Sequence, residues 1–216
     1  LKELKKQLNE EFIEVKRGCM VAVSAISDIG DKILLSNGEE ICYTKRKKKA
    51  LREELQKKQE LMIAKISKKK LPLTPEEYGK YYKICDSLPF AFTDIEMVFN
   101  EEKKAVDWIF RYGNEALATL EKLPLDKMIG NSFSSLFSNM DAKWLHVYER
   151  ATLYGETLEI MDYSPEIDTN LKIICFPTFP GHCGCILFNA DQMKSISEEN
   201  HLVRLAAVAM KSNTTI

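Results

Sequence analysis

AFTDIEMVFNEEKKAVDWIFRYGNEAL, residues 91–117, decides the fold. FTDIEMVFN has the length and texture of a strand, EEKK makes a charged turn, VDWIFRYG supplies a second strand, and NEALATLEKL from Asn114 onward reads as a helix. A helix-rich middle follows, then three further strands near 156–163, 171–179 and 183–190. Two strands, several helices and three strands predict an α+β unit: one five-stranded antiparallel sheet with helices on a single face. DAKWLHVYERATLYG places Trp144, Val147, Tyr148 and Ala151 on one helical face, so that helix can lie across the sheet and leave a pocket beneath it. Trp108, Phe110, Tyr112, Phe133, Trp144, Tyr148 and Phe176, with Asn114 as a polar group, are the candidate lining. The competing reading makes the inward half of these aromatics simple core.

Working back from this unit, Thr74-Pro75-Glu76-Glu77 is a capping box with proline at the first helical position, which predicts a helix from Pro75 to Ser87. Arg46 to Ser67 contains neither Gly nor Pro, and Leu51, Leu55, Met62 and Ile66 form one stripe, as in an amphipathic linker helix. Lys58 and Lys65 occupy core-type positions in the stripe, which argues against a strong coiled coil. Further back, LKELKKQL reads as a short leading helix. FIEV, VAVSAISDI, KILLS and EICYT read as strands, with Asn37-Gly38 supplying a pair of positive φ values for a hairpin. A small β-rich unit therefore precedes the linker. Leu1 in place of an initiator methionine, and SNTTI after a helix expected over Ser197–Met210, lead us to expect further chain at both ends.

The net charge of −1 conceals an asymmetry. Residues 1–71 hold 18 Lys/Arg against 11 Asp/Glu, or +7, whereas residues 72–216 hold 13 against 21, or −8. A basic half beside an acidic half points the first toward a polyanion. KRKKK at 45–49, directly after the hairpin, is the strongest local signal: clustered lysines neutralise phosphates and arginine can take a guanine edge. The bland alternative is a solvated helix start. The longest apolar stretches, 171–179 and 183–189, are strand-length, so neither a membrane span nor a signal peptide is expected. Cys19, Cys42, Cys85, Cys175, Cys183 and Cys185 lack the spacing of a disulfide framework and read as reduced, buried thiols of a cytoplasmic protein. His182-Cys183-Gly184-Cys185 invites a zinc reading, but the two cysteines share a strand face with His182 opposite or in the turn and no evident fourth ligand, so no metal site is expected. No Gly-rich phosphate loop, Ser/His/Asp set or partnered carboxylate pair appears, and we expect no enzyme.

Two resemblances follow from these segments. FIEVKRGCMVAV and ISDIGDKILLSNGEEICYTKRKKKALREEL resemble the C-terminal half of a LytTR DNA-binding domain, with LKELKKQL as the helix before them. The resemblance implies loops entering successive major grooves, with Lys16, Arg17, Lys45, Arg46 and Lys47 as the DNA-binding side chains. The chain departs from that family at Lys16-Arg17-Gly18, where His-Arg-Ser is usual, and at Ala22, where asparagine is usual. Residues 90–193 resemble a PAS domain: VDWIFRYGNEAL as second strand and first helix, DKMIGNSFSSLF as the next helix and Gly turn, KWLHVYERATLYGETLEI as the crossing helix and third strand, and LKIICFPTFPGHCGCILFNADQ as the closing hairpin. This implies a sensor and dimerisation module. GNSFSSLF lacks the cysteine of the flavin-adduct kind, and only His146 lies near where a haem ligand would be, so the cofactor is unknown.

The expected organisation is a partial LytTR-like domain over 1–55, a helical linker over 46–88 that overlaps its end, a PAS-like sensor over 89–193, and a C-terminal helix or linker over 194–216. The expected function is a bacterial, cytoplasmic, homodimeric DNA-binding transcription regulator whose PAS-like domain senses a small ligand or partner. The alternative is a PAS-type interaction and relay module of a multidomain signalling protein that does not bind DNA.

Overall fold

The computed structural model describes residues 11–69, 73–138 and 142–190; the helices expected at residues 1–8 and Ser197–Met210 lie outside them. The chain divides into two units between Lys65 and Ile66.

In the first unit β1 (Phe12–Lys16) pairs antiparallel with β2 (Cys19–Ala22) across an Arg17-Gly18 turn, with an irregularity in register between Glu14 and Lys16. The expected single strand over VAVSAISDI is broken: a 3-10 turn at Val23–Ala25 hands the chain from β2 to β3 (Ile26–Ile29), which pairs with β4 (Ile33–Leu35) instead. β4 pairs in turn with β5 (Glu40–Ile41). The Asn37-Gly38 hairpin forms, but only Gly38 has positive φ (84°). Asn37 Oδ1 accepts from Glu39 N–H at 3.0 Å, and Gly38 N–H donates to Leu35 O at 2.9 Å, so a three-residue loop replaces the expected two-residue one. Ile13, Val15, Val21, Val23, Ile26, Ile29, Ile33 and Leu51 are the unit's principal buried side chains.

Helix α1 (Lys48–Lys69) begins where Lys45–Lys47 ends a 3-10 turn. Arg52 Nε donates to Ile29 O at 2.9 Å and ties the helix to β3. Leu51 and Ile63 are buried and Leu55, Met62 and Ile66 half-buried, so the stripe exists and includes Ile63.

The second unit opens with α2 (Pro75–Tyr81). Its capping box is complete: Thr74 Oγ1 accepts from Glu77 N–H at 3.3 Å and Glu77 Oε2 from Thr74 N–H at 2.7 Å. The helix expected to reach Ser87 changes to 3-10 geometry over Lys83–Ser87. Then come β6 (Ala91–Phe99), β7 (Ala105–Gly113), α3 (Glu115–Glu121), α4 (Leu125–Met128), α5 (Phe133–Leu136), α6 (Ala142–Tyr154), β8 (Leu158–Ser164), β9 (Thr169–Pro177) and β10 (His182–Asn189). These strands form one antiparallel sheet in the order β7-β6-β10-β9-β8, so the first and last of the five strands lie side by side at its centre.

The α+β class and the five-stranded antiparallel sheet with α3–α6 on one face stand as expected, and the segment before β6 covers the other face. On the inner face Ile95, Met97, Trp108, Phe110, Ile173, Cys175, Cys185 and Leu187 pack with α3–α6. On the outer face Phe92, Tyr112, Ile174, Phe176, Ile186 and Phe188 are covered by Tyr78 and Tyr82 of the α2 segment and by Cys85. Those outer side chains are apolar or aromatic, and exposing them would forfeit on the order of 2 kcal/mol each. The segment expected as the last part of a linker therefore packs as a second layer on the sheet.

Candidate functional site

Three arrangements carry chemistry. The first is basic. Lys16 ends β1, Arg17 sits in the turn that Gly18 (φ 79°) permits, and Lys45–Lys47 form the 3-10 turn after Thr44. All five side chains are exposed, and among the described residues none makes an ion pair or side-chain hydrogen bond. The rest of the KRKKK run differs: Lys48 Nζ lies 3.8 Å from Asp31 and Lys49 Nζ 3.9 Å from Glu53. Structure thus separates three uncommitted cations from two that face carboxylates. Free lysines and arginines on a protein surface can exchange counterions for phosphate without first breaking a pair.

The second arrangement is a cavity between α3, α5, α6 and the inner face of the sheet. It holds about 450 Å³ of empty space, part of it open to solvent at the mouth. Of the candidate lining residues, Trp108, Phe110, Phe133, Trp144 and Tyr148 are there. Trp108 stacks obliquely on Phe133 at 4.4 Å between centroids and meets Tyr148 edge to face at 5.1 Å.

Tyr112, Phe176 and Asn114 are not in the lining. A bulge in β7 explains Tyr112: Ile95 pairs with Phe110 but Asp94 with Tyr112, so Arg111 is the extra residue and Tyr112 turns to the outer face. Phe176 follows Cys175 on β9 and by alternation also points outward. Asn114 holds the backbone together instead. Its Oδ1 accepts from Phe92 N–H and Leu117 N–H at 3.0 Å each, and its Nδ2 donates to Cys85 O at 3.0 Å and Phe90 O at 2.9 Å. It caps α3 and fastens the start of β6, which uses its full hydrogen-bonding capacity.

Sequence reasoning missed the cavity's two carboxylates, Glu121 at the end of α3 and Glu166 in the β8–β9 turn. Burial, reinforced by the charge of Glu166, pushes the Glu121 carboxyl up to about 7. Glu166 Oε2 accepts from Ser164 Oγ at 2.6 Å, while its Oε1 is buried with no hydrogen-bond partner. Nothing in the local sequence marks either residue, because both sit in ordinary charged helix-end and turn contexts.

The third arrangement lies on the outer face, under α2. Asp94, fully buried, accepts from Tyr82 Oη at 2.7 Å and Thr178 Oγ1 at 2.5 Å through one oxygen, and its other oxygen lies 2.6 Å from His182 Nδ1. Tyr78 Oη lies 3.4 Å from His182 Nε2, and Arg111 grips Glu96 Oε2 through Nε and Nη2, both at 2.7 Å. Burial, with the Asp94 charge second, raises the Tyr82 hydroxyl far above its usual range, so it serves as a donor. The network joins α2, β6, β10 and the β9–β10 turn with every principal polar group paired.

Cys183 and Cys185 share the inner face, with Sγ atoms 3.8 Å apart, and His182 begins the strand and faces the opposite way, the first of the two expected placements. Burial raises both thiols, and contact with Cys183 does the same for Cys175. No three His, Cys, Asp or Glu side chains among the described residues converge to hold a metal ion. The cysteines are all unbridged, but Cys42 is exposed and Cys19 half-buried, which corrects the expectation that all six are buried. His146 does not line the cavity; burial, with Arg150 beside it, lowers its pKa, and its Nε2 lacks a partner.

Comparison with known proteins places these features in context. Residues 1–56 match the family described as the LytTr DNA-binding domain. No curated protein sequence matches the chain. Among solved structures, a variant of the LOV protein RsLOV superposes with a TM-score of 0.40 at 13% identity, over 62% of this chain and 79% of that one. No helix among the described residues is long and apolar enough to cross a membrane.

Proposed function

We propose that this chain, whose first 56 residues match a LytTr DNA-binding domain, is a transcription regulator of the bacterial cytoplasm that binds DNA as a homodimer and reads a small ligand or partner through its second unit. The domain match carries the reading. The five exposed cations Lys16, Arg17, Lys45, Arg46 and Lys47, unpaired among the described residues, support it by supplying the charge that duplex DNA requires. In this role Arg17 and Arg46 are the candidates for base edges, since only their planar forks can make two bonds to guanine, and the lysines neutralise phosphates. The second unit is PAS-like in its strand order and covering helices, and its cavity offers a place where a ligand can bias one conformation over another. A ligand regulates DNA binding only through such differential affinity.

The test is fluorescence anisotropy of the full chain against a duplex from its own promoter and an unrelated duplex, at several salt concentrations. Preferential, salt-sensitive binding is expected, with Arg46→Ala weakening it. Absence of binding to both duplexes even at low salt overturns the reading and leaves an interaction module.

A further inference from the structure

The inner cavity's walls have a sign. Its described lining includes two carboxylates, Glu121 and Glu166, and no Lys, Arg or His. One carboxylate oxygen, Glu166 Oε1, is buried without any donor, which is costly for an acceptor and uncommon in a finished interior. The same lining includes the rings of Trp108, Phe133, Trp144 and Tyr148, and Trp144 already holds the Lys143 ammonium 5.0 Å from its ring centre, so aromatic groups that attract cations stand beside the carboxylates. Such walls repel an anion and leave a neutral apolar ligand with desolvated carboxylates beside it. Part of the cavity's space of about 450 Å³ is open solvent at the mouth, so the interior suits a ligand of a few heavy atoms better than a large planar prosthetic group.

We propose that the cavity is a binding site for a small organic cation, an amine or amidine of a few heavy atoms, held between the Glu121 and Glu166 carboxylates and the aromatic wall. As a statement about sensing this rests on the regulatory reading above; as a statement about binding it stands or falls separately. A planar amidinium matches the two acceptor oxygens of a carboxylate with two parallel N–H groups. The groups facing Glu121 are Glu166 from the β8–β9 turn and Tyr148 from α6, while the neighbouring Lys122 ammonium turns to Ile167 O at 3.5 Å. Burial keeps Tyr148 neutral, so the cavity's negative charge comes from carboxyl groups. Because Glu121 titrates near 7, a bound cation displaces a proton from it, and affinity rises between pH 5.5 and pH 8.

The experiment is isothermal titration calorimetry of the full chain with acetamidinium, acetamide and acetate, which share size and shape and differ in charge. Acetamidinium is expected to bind at least tenfold more tightly than the other two, to tighten about thirtyfold from pH 5.5 to pH 8 with proton release into the buffer at the lower pH, and to lose both properties in the Glu121→Gln/Glu166→Gln variant. Thermal melting of that variant checks that it folds, and Glu166→Gln alone serves if the double variant does not. Equal binding of acetamide or acetate, no binding of any probe at millimolar concentration, or acetamidinium binding unchanged in the folded variant overturns the inference. DNA binding without cation binding removes this inference and leaves the regulator; cation binding without DNA binding does the reverse.

Discussion

Replacing Glu121 by glutamine should stabilise the second unit in a pH-dependent way. In the folded protein this carboxyl titrates near 7 because it is buried beside Glu166, against an ordinary value of 4.5 in an unfolded chain. Between those values the native state holds a proton that the unfolded state has already released, so stability falls as pH rises from about 4.5 and levels off above about 7. The difference between those two values, at about 1.36 kcal/mol per pH unit, sets an upper limit of about 3 kcal/mol on the loss above pH 7.5, reduced by the water that reaches a half-buried carboxyl. Glu121→Gln keeps the size and hydrogen-bonding capacity of the neutral acid and removes the penalty, so it should gain about 1–3 kcal/mol over the native chain at pH 8 and about nothing at pH 4.5. Urea unfolding at half-unit pH steps, followed by tryptophan fluorescence, measures this directly, since Trp108 and Trp144 both line the cavity. Glu166→Gln should recover part of the same gain by removing the neighbouring charge. A difference between native and Glu121→Gln chains that stays flat from pH 4.5 to pH 8 would refute the reasoning, for it would place the two carboxylates in water.

Three further outcomes follow from the structure. Arg46→Ala should weaken specific DNA binding by about 1–3 kcal/mol if its fork reads a base, whereas Lys45→Ala should weaken all duplexes alike and reduce the salt slope by about one, both read by anisotropy against salt. Asp94→Ala strands Tyr82, Thr178 and His182 in a buried site and should cost about 3–5 kcal/mol in urea unfolding, with Tyr82→Phe costing about 1–3; a near-neutral Asp94→Ala would mean that water reaches the network. Gly184→Ala should cost about 1–3 kcal/mol in the same assay, because a Cβ there falls 2.9 Å from Phe176 Cε2 and 2.8 Å from Thr178 Cγ2; an unchanged midpoint would show that the Phe176 ring yields freely.

The order of strands and helices in the second unit was legible because each element carries its own local signal. Asn114 marks the start of α3 by capping chemistry, Thr74-Pro75-Glu76-Glu77 marks α2, and β6, β7, β9 and β10 fall within a residue or two of where the apolar patterns put them. The LytTR texture was legible for a similar reason: its hairpin and basic run are contiguous in the chain, and residues 1–56 match that family. The cover on the second face was signalled too. Phe92, Ile174, Phe176, Ile186 and Phe188 stand at the positions that would meet water in a one-sided sheet, and side chains of that kind need a cover.

Other features could not be read from sequence. Tyr112 left the expected pocket because of a bulge at Arg111, and strand alternation carries no mark of where a ladder slips by one residue. Among KRKKK, identical lysines differ in role only because Asp31 and Glu53 come near Lys48 and Lys49 and not near Lys45 or Lys47. Asp94 and His182, 88 residues apart, meet because β10 pairs with β6 in one particular register. Glu121 and Glu166 share a cavity because α3 and the β8–β9 turn border the same end of the sheet, and their mutual repulsion exists only in that juxtaposition. The sequence by itself determined the elements, their order and the basic character of the first unit, since periodicity, capping and composition act between neighbours along the chain. Tertiary structure alone decided which polar groups are paired, which carboxylates are buried together and which aromatics face the cavity, because hydrogen bonding, desolvation and charge coupling depend on distance in space.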